Sequence, residues 1–160
     1  ETSPVSIRRI PRGDRRILPA LEEAWIAPES QDVLTEDIIK WLRLNLHRED
    51  VGLWVIVEEG DLVGAMIAFG PNLINKSTHV YVAWIKPGAK ANAKQFFEGD
   101  FEDWVRANGS VDVTMNSSSH SARVWQRKFG FVPYSRVYIK RLESAKTNQS
   151  ALASVMEMAT

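Results

Sequence analysis

Apolar positions along this chain repeat first at helical spacing, then at strand spacing, and later alternate between the two. Val5 to Ile10 is expected as a short strand that ends on Arg8 and Arg9. Pro11-Arg12-Gly13 breaks it, and Asp14 is placed to cap the next element. Ile17, Leu18, Leu21, Ala24 and Trp25 then predict an amphipathic helix over 15–26, stopped by Pro28. Thr35 is expected to cap a second helix, whose stripe of Ile38, Ile39, Trp41, Leu42, Leu44 and Leu46 runs out near His47 to Asp50. From Val51 the period becomes that of a strand. Val51 to Val57 and Leu62 to Phe69 flank Gly60, which takes φ > 0 without a Cβ clash, so a hairpin is expected. Thr78 to Ile85 is a third central strand, ended by Pro87-Gly88. A helix is predicted over Ala91–Ala107, weakened in its middle by Gly99 and stopped by Asn108-Gly109. Val111 to Asn116 is a strand, Ser117-Ser118-Ser119 opens a helix that Gly130 closes, and Tyr134 to Leu142 is the last strand.

The order β-α-α-β-β-β-α-β-α-β mixes strands and helices without strict alternation, which indicates an α+β fold with helices on the faces of a mixed, mostly antiparallel sheet. A single domain is expected over 1–142. The polar stretch 143–150 then reads as a linker, followed by a tail in which Leu152, Val155 and Met156 share one side.

With 160 residues, 44% of them hydrophobic, the chain is long enough for a self-sufficient core. Its longest apolar run, Leu62 to Phe69, is far short of the ~20 residues of a membrane-spanning helix. Cysteine is absent, which excludes disulfides, thiolate nucleophiles and Cys-ligated zinc. The three histidines, His47, His79 and His120, have no metal-binding spacing, so no metal is expected. Net charge is zero but uneven, at −8 over 22–61 and +6 over 62–142. A basic later half suits a polyanionic ligand of modest size better than long nucleic acid. The cluster Arg8, Arg9, Arg12, Arg15 and Arg16 offers a nucleic-acid interface only its charge.

Three local signatures resemble the GNAT (GCN5-related N-acetyltransferase) superfamily. Ile85-Lys86-Pro87 resembles the V-x-P that ends its central strand. Leu62-Val63-Gly64, beyond the Gly60 hairpin, resembles its x-x-G-x-x-V-G entry. Ser119-His120-Ser121-Ala122 through Phe129-Gly130-Phe131 has the spacing of its N-x-x-A-x-x-L-Y-x-x-x-G-F segment. The resemblance covers about residues 5–142. It implies acetyl-CoA as the cofactor and transfer of an acetyl group to an amine acceptor.

Registered on Pro87, the family's pyrophosphate loop Q/R-x-x-G-x-G/A falls on Lys90-Ala91-Asn92-Ala93-Lys94-Gln95, without the family's glycines. Backbone N–H groups at a helix start are what such a loop offers to phosphate. Lys86, Lys90 and Lys94 add positive charge. The resemblance further implies cofactor contacts at Trp84 and Ile85 on the central strand, at Asn116, and at Ser119 and Ala122. His79 stands where the family commonly carries a Glu base, and Tyr81 comes two residues on. The family's acid, a Tyr, is replaced by Gln126, so Tyr134 or Tyr138 is the candidate proton donor. Trp25 and Trp41 belong to the helices that shape the acceptor site in this fold. The alternative is a GNAT-fold protein without catalysis that binds a partner, for which the C-terminal tail is available. Ser118 to Arg123 faintly resembles GNAT-like components of bacteriophage virions. The expected location is cytoplasmic, or a virion on that second resemblance.

Overall fold

The computed structural model describes residues 5–25, 34–71, 76–115, 125–127, 129–133, 140 and 142. The chain divides into two compact units, Glu1–Gly130 and Phe131–Thr160. The expected strand over 134–142 and the tail over 143–160 fall almost wholly outside the described residues.

The first unit is built on a five-stranded sheet in the order β1-β2-β3-β4-β5. Its strands are β1 (Val5–Arg9), β2 (Val51–Glu58), β3 (Asp61–Phe69), β4 (Ser77–Ile85) and β5 (Asp112–Met115). The first three pairings are antiparallel, and β4 with β5 is parallel. This is the mixed, mostly antiparallel α+β arrangement expected. A two-residue loop of Glu59 (φ +52°) and Gly60 (φ +84°) joins β2 to β3, the left-handed pair that matches strand twist in a tight hairpin.

Alternation along β2 and β3 feeds two cores. Leu53, Val55, Ala65 and Ile67 pack with α1 (Leu18–Ala24) and α2 (Thr35–Asn45). Trp54, Ile56, Met66 and Ala68 pack with α3 (Gln95–Glu98) and α4 (Phe101–Ala107). Both faces are covered, which is why these strands read as continuous apolar runs rather than as a clean alternation.

Three expectations need correction. The helix predicted over 15–26 is a 3-10 turn at Arg15–Ile17 followed by α1, because Pro19 lacks an N–H and belongs in a helix's first turn. Asp14 does cap that turn: its carboxylate accepts the Arg16 amide at 3.1 Å, and the Arg16 side chain holds its pKa down to about 2. Thr35 is the first residue of α2 rather than its cap, which is Leu34, and the Thr35 hydroxyl donates to the Trp25 carbonyl at 2.9 Å. The helix predicted over Ala91–Ala107 begins at Gln95 and breaks at Gly99 into α3 and α4. A Cβ on Gly99 would stand 3.2 Å from Cγ2 of Ile7, so the break lets β1 pack close.

Candidate functional site

An irregularity on β4 marks the candidate site. Val80 faces Ala68 and Val82 faces the adjacent Ile67, so Tyr81 is an extra residue, a bulge that bends the strand. The β4–β5 pairing runs from Ser77 opposite Asp112 to Val80 opposite Met115, and no pairing continues among the described residues. The paired part is pinned by side chains: the Thr78 and Ser110 hydroxyls share a buried hydrogen bond at 2.7 Å, and His79 Nδ1 lies 3.0 Å from Oγ1 of Thr114.

Beyond Val80 the direction of the backbone groups is set by the ladder with β3. The Lys86 amide donates to the Val63 carbonyl at 2.7 Å, on the β3 side. Amides alternate along a strand, so those of Ala83 and Ile85 point away from β3. Trp84 presents its amide to β3, and its ring stacks on Trp25 with centroids 5.6 Å apart. Of the two strand-end positions expected to meet a cofactor, Ile85 therefore has its amide on the side away from β3, and Trp84 has its bulk in the α1/α2 core.

His79 and Tyr81, expected on one face, do meet there. Both rings pack on Phe69, at 5.6 and 5.9 Å, and Trp41 of α2 closes the group at 6.1 Å from Tyr81. Tyr81 remains 40% exposed. Burial lowers the pKa of His79 from the ordinary 6.5, which favours neutral imidazole at pH 7. In the tautomer in which Nδ1–H donates to Oγ1 of Thr114, the lone pair sits on Nε2, the arrangement a base requires.

The loop from Lys90 to Gln95 is not the open helix start expected of it. Lys90 and Ala91 donate their amides to Oε1 of Glu58 at 2.9 and 3.0 Å. Asn92 donates to Oε1 of Gln95 at 2.9 Å, and Lys94 to Oδ1 of Asn92 at 3.0 Å. Gln95 thus turns its side chain back onto the loop. Sequence reasoning missed Glu58 altogether. Asn116, Ser119, Ala122 and Tyr134 lie outside the described residues, as do His120 and Tyr138.

Elsewhere, a shallow cleft of about 260 Å³ is lined by Arg9, Arg12, Arg48 and Trp104 among others. Its arginines are paired, Arg9 with Asp100, Arg12 with Glu49 and Arg48 with Asp50. No cluster of metal-ligating side chains occurs among the described residues, and no helix there is long and apolar enough to cross a membrane.

No protein-family model matches this chain, and no curated protein matches it either. Solved structures do. The aminoglycoside N-acetyltransferase AAC(6')-Iy in complex with CoA superposes with a TM-score of 0.64 at 15% identity, over 90% of this chain and 98% of that one. Glucosamine-6-phosphate N-acetyltransferase from Arabidopsis thaliana gives 0.59 at 19% identity, over 89% and 100%. The ribosomal-protein-alanine N-acetyltransferase from Brucella melitensis biovar Abortus 2308 gives 0.59 at 16%, over 87% and 99%. A central strand that bulges at Tyr81 lies within a sheet covered on both faces. Together with superpositions over nearly whole chains, it shows that this chain has the fold of the GNAT acetyltransferases.

Proposed function

We propose that this protein transfers an acetyl group from acetyl-CoA to an amine acceptor. The observation that carries the reading is the direction of the Ala83 and Ile85 backbone groups, which point away from β3 just beyond the Tyr81 bulge. An amide-bearing pantetheine arm can pair there as a short extra strand would. The neighbour solved with CoA supports the same cofactor.

In the reaction, the amine nitrogen forms a bond to the thioester carbonyl carbon as the carbon–sulfur bond breaks. The amine's proton passes to a base, and the thiolate takes one up. His79 Nε2 is the base in this reading, directly or through a water, and strand amides next to the Tyr81 bulge stabilise the developing oxyanion. Tyr81 is the exposed hydroxyl closest along the strand, and Tyr134 remains the alternative proton donor from sequence. Trp41, Phe69 and Tyr81 form the wall on the α2 side, where the acceptor would sit.

A thermal-shift titration tests this. Acetyl-CoA at about 100 times its Kd adds roughly 2.7 kcal/mol of stability, and free CoA acts similarly while ATP does not. An amine screen for thiol release comes next. No shift at millimolar acetyl-CoA overturns the reading.

One observation favours a second reading, a GNAT-fold binding protein without catalysis. The loop amides that would receive a pyrophosphate are taken by the side chains of Glu58, Asn92 and Gln95. That reading expects no acetyl-CoA shift and a stable complex with another protein.

A further inference from the structure

The loop after β4 carries an anion of its own. Glu58 is the last residue of β2, and the Glu59-Gly60 turn folds the chain back directly beyond it. A single oxygen of its carboxylate accepts both the Lys90 and the Ala91 amide. Two adjacent N–H groups converging on one anionic oxygen is the contact a phosphate oxygen would make, and hydrogen bonds to an ionised acceptor are about twice as strong as neutral ones. Most of the rest of the loop is closed in the same manner. Asn92 and Lys94 donate to side-chain oxygens of the loop itself, and Gln95, Phe96 and Phe97 donate to the carbonyls of Asn92, Ala93 and Lys94. Lys90, the residue in the family's Gln/Arg position, has its ammonium 4.0 Å from the Glu59 carboxylate. A diphosphate approaching this loop meets amides already bonded and two carboxylates of its own sign.

The geometry points to Glu58 as a resident carboxylate that stands in for the donor's pyrophosphate. On this account the chain holds its acyl donor by the pantetheine arm along β4, and the nucleotide end adds no affinity. The donor class is then any acyl thioester of pantetheine, with phosphates dispensable. This assignment rests on the acetyl-transfer reading.

The test compares acetyl-CoA with S-acetylpantetheine, which keeps the thioester arm and carries no phosphate. Binding is measured by titration calorimetry on the full chain and on the Glu58→Ala and Glu58→Gln variants. The wild type binds the two donors within about fivefold of each other. Glu58→Ala binds acetyl-CoA at least about tenfold more tightly and S-acetylpantetheine unchanged. Glu58→Gln keeps the shape and the acceptor oxygen but loses the charge, and gains in the same direction by less. A wild type that prefers acetyl-CoA by more than about fivefold, or variants that gain nothing for acetyl-CoA, overturns the proposal. If neither donor binds any of the three proteins, the acetyl-transfer reading falls. The role of Glu58 is then decided by NMR. The Lys90 and Ala91 amides exchange with deuterium more slowly in the wild type than in Glu58→Ala, and equal exchange in the two overturns it.

Discussion

His79 carries opposite demands for stability and for chemistry. Half-burial against Phe69 lowers its pKa, so between that lowered value and 6.5 the folded chain binds fewer protons than the unfolded one. Stability from this residue is therefore complete above 6.5 and is lost as pH falls below it. Urea unfolding from about pH 7.5 down to about pH 5.5 should show the wild type losing more stability than His79→Gln. In an acetyl-transfer assay, His79→Ala should cost about 10²–10⁴-fold in rate, the usual contribution of a positioned base, with the fold intact by circular dichroism. Asp100 is held between opposing effects. Partial burial pushes its carboxyl up, but hydrogen bonds from Arg9 at 2.7 Å and from the Trp54 indole at 2.8 Å outweigh that and hold it below the usual carboxylate range. Trp54 is fully buried, so Asp100→Ala leaves an indole N–H unpaired in the core. A loss of about 1–3 kcal/mol in urea unfolding is expected.

At the scale of elements, the hairpin and the three central strands were legible because their signals are local. Gly60 marks the turn, and the apolar runs on either side leave no other reading. His79 and Tyr81 were legible as neighbours from their spacing, and both do reach Phe69. The bulge at Tyr81 was not, because the run Thr78 to Ile85 is apolar enough to hide an inserted residue; only the register with β3 reveals it. The bond between Glu58 and the loop was equally hidden, since it joins residues more than thirty apart through tertiary placement. The break at Gly99 was half legible, as a weak point within a single helix rather than as its end. Gly64 offers a test of how tightly β3 supports β4. A Cβ there would lie 3.0 Å from the Trp84 carbonyl oxygen and 2.9 Å from Cδ1 of Ile85. The side-chain end can move, but the carbonyl belongs to β4 itself. Gly64→Ala should therefore cost about 1–3 kcal/mol of stability by urea unfolding, through displacement of β4. In a titration it should also weaken acetyl-CoA binding more than a surface change of equal size.

Over the whole first unit, the sheet is assembled from connections of very different length. β2, β3 and β4 succeed one another through a tight turn and a short loop, whereas β1 joins β2 across residues 10–50 and β5 joins β4 across residues 86–111. Closing a longer loop costs more chain entropy before any pairing repays it. Among the described residues the outer strands are also the shortest, five residues for β1 and four for β5. Deuterium should therefore enter the amides of β1 and β5 well before those of β3, whose central residues are covered on both faces and paired on both sides. Uniform protection across all five strands would contradict this. β4 belongs to the slowly exchanging centre on one side and borders the quickly exchanging β5 on the other. Loss of β5 alone would strip Ser77 to Val80 of their parallel partners while leaving the ladder of β4 with β3 in place, so the contact of His79 with Thr114 depends on the shortest described strand of the sheet.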